Sequence, residues 1–316
     1  MSRPFPVPRV LIVHITDRCN LSCRFCDLPK GPRDFSFKNL SSLLKEGSDL
    51  GIPNLVLTGG EPLLHPEIES ILSMSSSLGF GLNITTNGTP LVDLAGMLAG
   101  FKVASVSVSI DGKEETHDDL RGVKGAYKRT MAGIEALKSK APKTRLSIYM
   151  VVTEVNAAEL NDVYDLSGRI GADFNFWPVN NQPGLYMRSD TARQAYISFV
   201  QRLAQENREF EKRKDYYLTG LEYHRGKRLR VRCMGLSDQA GISVTGELLP
   251  CCVWGEKSLI IGNAVEQGLP ALLSCSKAEA LRKKIYSRGC VGLCYNHSLY
   301  EFSQKTGEPF LLGVEY

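Results

Sequence analysis

Apolar runs of strand length alternate with amphipathic stretches of helix length through the first 178 residues of the chain. The longer stretches repeat apolar residues at helical spacing, whereas the short runs are continuous or alternate in the way of buried strands. The pattern predicts six strands, at residues 9–15, 54–58, 81–85, 103–110, 145–152 and 173–178. It predicts helices between them, at residues 38–50, 66–78, 91–98, 125–140 and 157–170.

This strand–helix alternation predicts an α/β fold with a parallel sheet and right-handed crossovers. Six units are too few to close an eight-unit barrel, so we expect an open, partial (β/α)6 barrel. In barrels of this kind the loops at the carboxyl ends of the strands carry the active site. Candidate chemistry is therefore expected in those loops.

The pattern changes after residue 178. A turn-rich linker precedes a predicted long charged helix at residues 191–214, and a hairpin is predicted at residues 241–250. Two short helices are predicted near residues 265–273 and 277–288. We therefore expect a barrel over residues 1–185, a helical and basic connector over 186–232, and a small C-terminal unit over 233–316.

Composition excludes several classes of function. The chain has 316 residues, 43% of them hydrophobic, and a net charge of +4, which is too small to indicate a nucleic-acid partner. No apolar run is long enough to cross a membrane, and the N-terminus lacks the pattern of a signal peptide. We expect a cytoplasmic protein with no nucleic-acid or membrane partner.

The nine cysteines are unusual in their distribution, because they fall into two groups at opposite ends of the chain. An odd and clustered set in a reducing compartment indicates metal ligation rather than disulfides. The first group is Cys19, Cys23 and Cys26, and the second is Cys233, Cys251, Cys252, Cys275, Cys290 and Cys294.

Cys19, Cys23 and Cys26 have the spacing C-x3-C-x2-C directly after the first predicted strand. Three thiolates from one loop can bind three irons of a [4Fe–4S] cluster and leave the fourth iron open to a small molecule. Structural zinc is the alternative, but it takes four ligands, and no fourth cysteine or histidine follows closely. His14 and His65 would reach the loop only through folding.

Three further segments follow the second, third and fourth predicted strands: residues 58–62 (TGGEP), 85–88 (TTNG) and 107–112 (SVSIDG). Glycines allow a close approach of the backbone, and a carboxylate suits an ammonium group. Together with the cysteine spacing, these segments resemble the radical S-adenosylmethionine (SAM) superfamily over residues 9–178.

The resemblance implies a set of contacts to SAM. The segment that contains Glu61 is expected to hold the amino group of SAM, and Arg121 its carboxylate. Polar residues at the ends of the third and fourth strands are expected to reach the ribose and the carboxylate, and aromatic residues the adenine or the substrate. The implied SAM-binding residues are Phe25, Gly59, Gly60, Glu61, Pro62, Thr86, Asn87, Ser109, Asp111, Arg121 and Trp177. We place His117 in a loop beside this site, without a catalytic role.

The resemblance also implies the chemistry. SAM chelates the open iron through its amino and carboxylate groups, and one electron cleaves it to methionine and a 5′-deoxyadenosyl radical. That radical takes a hydrogen atom from an unactivated C–H bond, while the barrel supplies position and excludes water. An external one-electron donor such as a flavodoxin or a ferredoxin is implied as a partner.

The second cysteine group resembles the auxiliary-cluster extension of radical SAM enzymes called SPASM, or twitch in its shortened form. Cys233 is followed by twelve residues and then by the run from Gly246 to Cys251. A C-x2-C pair and a final cysteine of the full form are absent, so we expect one auxiliary [4Fe–4S] cluster. Its expected ligands are Cys233, Cys251, Cys290 and Cys294, with Cys275 as a possible substitute for one of them and a four-thiolate zinc site as the alternative.

Cys252 is not needed as a cluster ligand, and it directly follows the expected ligand Cys251. Neighbouring side chains on an extended segment point to opposite faces, so the Cys252 thiol is a candidate to give a hydrogen atom to a substrate radical. The alternative is a small buried apolar side chain, which is the usual state of an unmodified cysteine.

These features predict an epimerase, whose arrangement resembles the aminoglycoside epimerases of neomycin-type antibiotic biosynthesis, acting on a small polar substrate with Cys252 as the catalytic residue. A dehydrogenase of an aminocyclitol or sugar alcohol, with the auxiliary cluster as electron acceptor, is the first alternative. Modification of a peptide is the second, although 18 residues before Cys19 and 22 after Cys294 leave no room for a leader-binding module.

Overall fold

The computed structural model describes residues 5–252, 257–291 and 311–315. Six parallel strands form its centre, each hydrogen-bonded to the next in chain order. They are β1 (Val10–His14), β2 (Asn54–Thr58), β3 (Gly81–Thr86), β4 (Val103–Ser109), β5 (Arg145–Val152) and β6 (Asp173–Pro178). The predicted partial (β/α)6 barrel is confirmed.

Helices cover one face of this sheet: α1 (Phe37–Asp49), α2 (Ile68–Ser77), α3 (Leu91–Leu98), α4 (Glu114–Arg121), α5 (Ala126–Lys140) and α6 (Leu160–Ile170). The sequence did not predict α4, a short polar helix that begins with two glutamates and ends at Gly122, which has a φ of 69°. Acidic residues suit the first turn of a helix, and glycine suits its left-handed end. No helix among the described residues is long and apolar enough to span a membrane.

The two faces of the sheet differ in chemistry. In β4, Val106 and Val108 are fully buried on the helix-covered side. Val108 packs so closely against Gly88 that a Cβ atom added to this glycine would lie 2.7 Å from the valine side chain. Ser105, Ser107 and Ser109 alternate with them and are half-buried on the other, concave face. The concave face therefore offers hydroxyl groups where the convex face offers core contacts.

The predicted helix at residues 191–214 is wrong in its extent, because three helices follow β6. They are α7 (Asp190–Glu206), α8 (Arg208–Glu211) and α9 (Lys214–His224). Asn207 separates the first two, and its side-chain oxygen accepts a hydrogen bond from the backbone N–H of Phe210. Asparagine competes for backbone donors in this way and favours a helix boundary over a helix interior.

The C-terminal part extends the barrel sheet. It contains β7 (Arg228–Val231), β8 (Gln239–Ile242), β9 (Glu247–Leu249), β10 (Gly262–Asn263), α10 (Ala264–Gln267), α11 (Leu269–Ser274), α12 (Ser276–Ser287), β11 (Cys290–Val291) and β12 (Leu311–Glu315). The predicted hairpin is β8 and β9, and β8 pairs in parallel with β1. The sheet thus has the order β10-β9-β8-β1-β2-β3-β4-β5-β6, and β11-β7-β12 form a separate sheet. The three predicted units remain a prediction, and the first and third share a hydrogen-bonded edge.

Aromatic side chains pack β6 against the helices that follow it. Phe176 is 2% exposed and stacks on Tyr217 of α9 with 4.8 Å between ring centroids. Phe199 of α7 meets the same ring edge-on at 5.2 Å. Such pairs add to the free energy gained by burying apolar area.

Phe176→Ala should lower the free energy of unfolding by about 3–5 kcal/mol, because it leaves a cavity among the aromatic rings that surround Phe176. Denaturant unfolding followed by circular dichroism measures this change. Val155→Ala is the control, since Val155 is 44% exposed and its loss should change the free energy by less than about 0.5 kcal/mol. Equal effects of the two substitutions would contradict the packing described here.

Candidate active site

The first three cysteines lie on one loop whose ends are tied together. The loop leaves β1 and returns at residue 34, where Thr16 and Asp34 form an antiparallel bridge. The Thr16 hydroxyl donates to Asp34 Oδ1 at 2.6 Å, and Arg18 pairs with the same carboxylate at 2.9 Å. Buried Asp17 pairs with Arg33 at 2.9 Å. These contacts fix the stem from which Cys19, Cys23 and Cys26 project.

Gly59 and Gly60 lie against the backbone of that stem. The N–H of Gly60 donates to the carbonyl of Thr16 at 2.7 Å. A Cβ at Gly59 would lie 2.4 Å from the oxygen of Thr16, and one at Gly60 would lie 2.3 Å from the oxygen of Arg18. No side chain fits in either place. The glycines therefore allow the end of β2 to touch the loop that carries the cysteines.

Glu61 follows the two glycines and is completely buried. One carboxylate oxygen accepts from the Thr86 hydroxyl at 2.7 Å and from the N–H of Leu63 at 3.2 Å, and the other accepts from the N–H of Asn87 at 2.7 Å. Burial raises the pKa of Glu61 to about 7, and the three hydrogen bonds oppose that rise. Glu61 is thus a carboxyl group poised to change charge near neutral pH. Pro62, also buried, begins the short helical turn Pro62–Leu64 that Glu61 caps.

Arg121 connects the cysteine loop to the end of β4. Its Nε donates to Asp111 Oδ2 at 2.5 Å, its Nη1 lies 3.6 Å from the sulfur of Cys23, and its guanidinium lies 5.1 Å from the centre of the Phe25 ring. The other oxygen of Asp111 accepts from the N–H of Val151 at 2.8 Å. Because both oxygens are engaged, Asp111 in this structure orients Arg121.

The end of α4 holds the cysteine loop from the other side. The N–H of Ser22 donates to the carbonyl of Arg121, and that of Arg24 to the carbonyl of Leu120, both at 2.9 Å. A Cβ at Gly122 would lie 2.4 Å from the oxygen of Ser22. His117, predicted in a loop, lies instead on α4, where its Nδ1 accepts from the N–H of Asp111 at 3.2 Å. Burial lowers the pKa of His117 to about 4, so this ring is neutral.

The three thiols fit the cluster that their spacing predicts. Cys19, Cys23 and Cys26 are all partly buried, and burial raises the pKa of Cys19 and Cys23. Arg121 opposes that rise at Cys23 and favours the thiolate. Among the described residues no three cysteine, histidine or acidic side chains converge tightly enough to hold one ion. A four-iron cube needs no such convergence, because each thiolate binds a different iron.

The second cysteine group approaches the sheet at the opposite end of β1. Cys233 is buried before β8, and Cys251 follows β9, which runs antiparallel to β8. Gln239 at the start of β8 pairs with Val10 at the start of β1. The strand between the two ends, β1, is five residues and so roughly 16 Å long at about 3.3 Å per residue.

The other second-group cysteines have distinct positions. The backbone of Cys290 pairs in register with Val231 of β7, two residues before Cys233, and Cys294 lies outside the described residues. Cys275 is the N-cap of α12, and its sulfur accepts from the N–H of Ala278 at 3.4 Å. Cys252 is exposed. The structure thus gives Cys275 a role in packing. Burial raises the pKa of the Cys252 thiol, although the residue as a whole is exposed.

Two predicted residues lie on the concave face away from Glu61. Ser109 is half-buried at the end of β4, and its backbone pairs with Tyr149. Trp177 is half-buried on β6, with its ring 6.1 Å from that of Tyr149 and 6.3 Å from that of Tyr217. Sequence analysis did not single out Tyr149 or Tyr217. The register of β5 with β6 was needed to find the first, and the packing of α9 against β6 to find the second.

Comparison with protein families agrees with this geometry. The model of the radical SAM superfamily matches residues 13–167, and the model of the SPASM iron–sulfur cluster-binding domain matches residues 233–300. The chain belongs to the radical SAM superfamily and carries a SPASM-type domain. SAM and [4Fe–4S] clusters are the cofactors of these two domains.

Curated relatives cover different shares of the chain. An AdoMet-dependent heme synthase of Methanosarcina barkeri is 34% identical over 52% of this chain and 48% of its own length. The sporulation killing factor maturation protein SkfB of Bacillus subtilis is 32% identical over 52% and 41%. This chain therefore spans less than half of these relatives. A PqqA peptide cyclase of Rhizobium meliloti is 24% identical over 90% of this chain and 82% of its own length.

Solved structures share the fold over most of the chain. SuiB of Streptococcus suis bound to the precursor peptide SuiA has a TM-score of 0.68 at 18% identity, covering 94% of this chain and 73% of SuiB. BtrN in complex with AdoMet and 2-DOIA has a TM-score of 0.55 at 17% identity, covering 91% of this chain and 89% of BtrN. Identities this low show a shared fold alone.

Gly60→Ala should remove roughly half of the iron that the reconstituted protein holds, because the new methyl group would displace the loop of the first cluster. Anaerobic reconstitution followed by iron analysis measures the loss. Gly31→Ala is the matched control, since Gly31 lies on the same loop and a Cβ there meets nothing within 4 Å. Full iron content in Gly60→Ala would contradict the close contact.

If the Glu61 carboxylate accepts a hydrogen bond from the amino group of SAM, its pKa of about 7 sets a pH dependence. Protonation below that pH removes the negative charge, so the affinity for SAM should fall about tenfold per pH unit below 7 and level off above it. Anaerobic equilibrium binding between pH 5.5 and 8.5 measures the profile. Glu61→Gln should bind SAM weakly, and its affinity for SAM should change less with pH. An affinity that changes with pH as steeply as in the native protein would contradict the assignment.

Proposed function

We propose that this protein is a radical SAM epimerase that inverts one carbon of a hydroxyl-rich small molecule, with Cys252 returning the hydrogen. Aminoglycoside-type compounds are the first substrates to test. The observation that carries the proposal is the position of Cys252, an exposed residue with a desolvated thiol of raised pKa, next to an expected ligand of the auxiliary cluster. A cluster ligand beside a thiol provides a route for the electron that restores that thiol after each turnover.

The proposed roles at the carboxyl ends of the strands follow the geometry. Cys19, Cys23 and Cys26 would hold the cluster, Glu61 would bind the amino group of SAM, and Arg121 its carboxylate. When bound, these cofactors supply a carbon radical strong enough to take hydrogen from an unactivated C–H bond. Phe25, under the guanidinium of Arg121, lies where an adenine ring would complete the site.

The concave face of β4–β6 supports a polar, hydroxyl-rich substrate. Its half-buried side chains are hydroxyl, amide and aromatic groups, and the charges at its amino end, Arg145 and Asp173, pair with each other at 2.6 Å. Hydroxyl and amide groups suit the hydroxyls of a sugar or cyclitol, and an aromatic ring suits its C–H face. The other contributing side chains are Ser107, Ser109, Tyr149, Asn175 and Trp177.

The proposed step balances in atoms and electrons. The radical breaks the substrate C–H bond on one face and becomes 5′-deoxyadenosine, and the Cys252 S–H bond breaks to form a new C–H bond on the other face. The resulting sulfur radical takes one electron, from the external donor through the auxiliary cluster, and one proton from solvent. A dehydrogenase would instead send the electron of the substrate radical to that cluster and release a proton.

Peptide modification is the second candidate. It is favoured by the alignment with a PqqA peptide cyclase over 90% of this chain. The neutral hydroxyl and amide groups of the concave face would also suit a peptide backbone. The distinguishing observation is the identity of the molecule that acquires a changed carbon.

The proposed epimerase should convert a neomycin-type aminoglycoside into an isomer that carries one deuterium when the reaction runs in D2O with SAM and a reductant. Product mass and NMR measure this outcome. Cys252→Ala should still form 5′-deoxyadenosine but no isomer, whereas Cys275→Ala should behave as the native protein, because Cys275 caps a helix.

Three outcomes would contradict the proposal. Inversion that survives Cys252→Ala would exclude this thiol as the donor. A product lighter by two hydrogens would identify a dehydrogenase. Turnover of a peptide in place of every aminoglycoside would establish the second candidate.

A further inference from the structure

Asn20, the residue after Cys19, joins the cysteine loop to the end of β3. Its side-chain oxygen accepts from Asn87 Nδ2 at 2.8 Å, and its Nδ2 donates to the hydroxyl oxygen of Thr89 at 2.8 Å. The Thr89 hydroxyl donates in turn to the side-chain oxygen of Asn87 at 2.7 Å. The three side chains therefore form a closed ring of hydrogen bonds.

The backbone fixes the direction of every bond in this ring. The N–H of Thr89 donates to the side-chain oxygen of Asn87 at 2.9 Å. Because a backbone N–H can only donate, this contact identifies the Asn87 atom as the oxygen. The Asn87 amide must then turn its NH2 group toward Asn20, so Asn20 presents its oxygen to Asn87 and its NH2 to Thr89. This order leaves one compatible arrangement of the Asn20 side chain.

Asn87 connects this ring of hydrogen bonds to the buried carboxylate of Glu61. The N–H of Asn87 donates to Glu61, and the carbonyl of Asn87 accepts from the Thr130 hydroxyl at 2.9 Å. Asn87 is 7% exposed and Thr89 is 6% exposed. Because Asn87 is also held by Thr130 of α5, a bond from Asn20 sets the distance between Cys19 and Glu61.

We infer that Asn20 is a positioning residue that fixes the carboxylate of Glu61 relative to the first cysteine. The inference rests on the proposed role of Glu61 toward the amino group of SAM. A ligand held at once by a cluster and by a carboxylate depends on the separation of these two groups, and small misplacements are costly. Loss of the Asn20 amide should therefore weaken SAM binding while the cluster itself assembles.

The test compares Asn20→Ala with Thr89→Val and with the double variant. In Asn20→Ala the iron content should equal that of the native protein, and the Kd for SAM should rise about 10-fold, the effect of two lost hydrogen bonds. Thr89→Val removes the hydroxyl that closes the ring and should raise the Kd about as much. The double variant should be no worse than twofold beyond either single variant, because the two residues act through one ring.

Two further variants make the test specific. Asn20→Asp keeps the oxygen that Asn87 needs but lacks the donor to Thr89, so its Kd should lie between those of the native protein and Asn20→Ala. Asn39→Ala, on an exposed position of α1, should leave iron content and Kd unchanged. Iron analysis, visible absorbance of the cluster and anaerobic equilibrium binding are the readouts.

Several results would overturn the inference. A Kd in Asn20→Ala within twofold of the native value, or a loss of iron in proportion to the loss of binding, would show that Asn20 does not position Glu61. If Asn20→Ala fails to fold, Thr89→Val and Asn20→Asp decide the question. If Glu61→Gln binds SAM as the native protein does, the assigned role of Glu61 fails; if it binds weakly while Asn20→Ala does not, the inference about Asn20 alone fails.

Discussion

The site depends on a contact between two backbones. Gly59 and Gly60, at the end of β2, lie so close to residues 16–18 that even a methyl group would meet a carbonyl oxygen at 2.4 Å or less. That contact brings a buried carboxylate to the base of a loop with three cysteines. The end of α4 supports the same loop through backbone hydrogen bonds and brings Arg121 to Cys23. The loop is thereby held on three sides by strand ends and a helix end.

The sheet also relates the two cysteine groups. β8 pairs with β1 in parallel, so the segment after Cys233 lies beside the strand that leads to Cys19. One group lies beyond the carboxyl end of β1 and the other approaches its amino end. A substrate on the concave face, as proposed, would lie between these two groups. This geometry is common to an epimerase and a dehydrogenase, and the chemistry of Cys252 distinguishes the two.

Local signals predicted the barrel because each strand is a compact apolar run and each motif residue follows a strand end. The fold class and the family could therefore be inferred before the structure was known. Contacts between distant residues could not. The pairing of β8 with β1, the engagement of both Asp111 oxygens and the ring through Asn20 each join segments that are far apart in the chain. Helix α4 was missed because it is short and polar, and its stability comes from the loop it contacts.

The most direct test of this account is electron paramagnetic resonance of the reduced protein with and without SAM, in the native chain and in Cys19→Ala. We predict that the native protein shows two cluster signals, of which one changes when SAM is added. Cys19→Ala should lose the signal that responds to SAM and keep the other. A response to SAM that persists in Cys19→Ala would contradict the assignment of this loop as the SAM-binding cluster site.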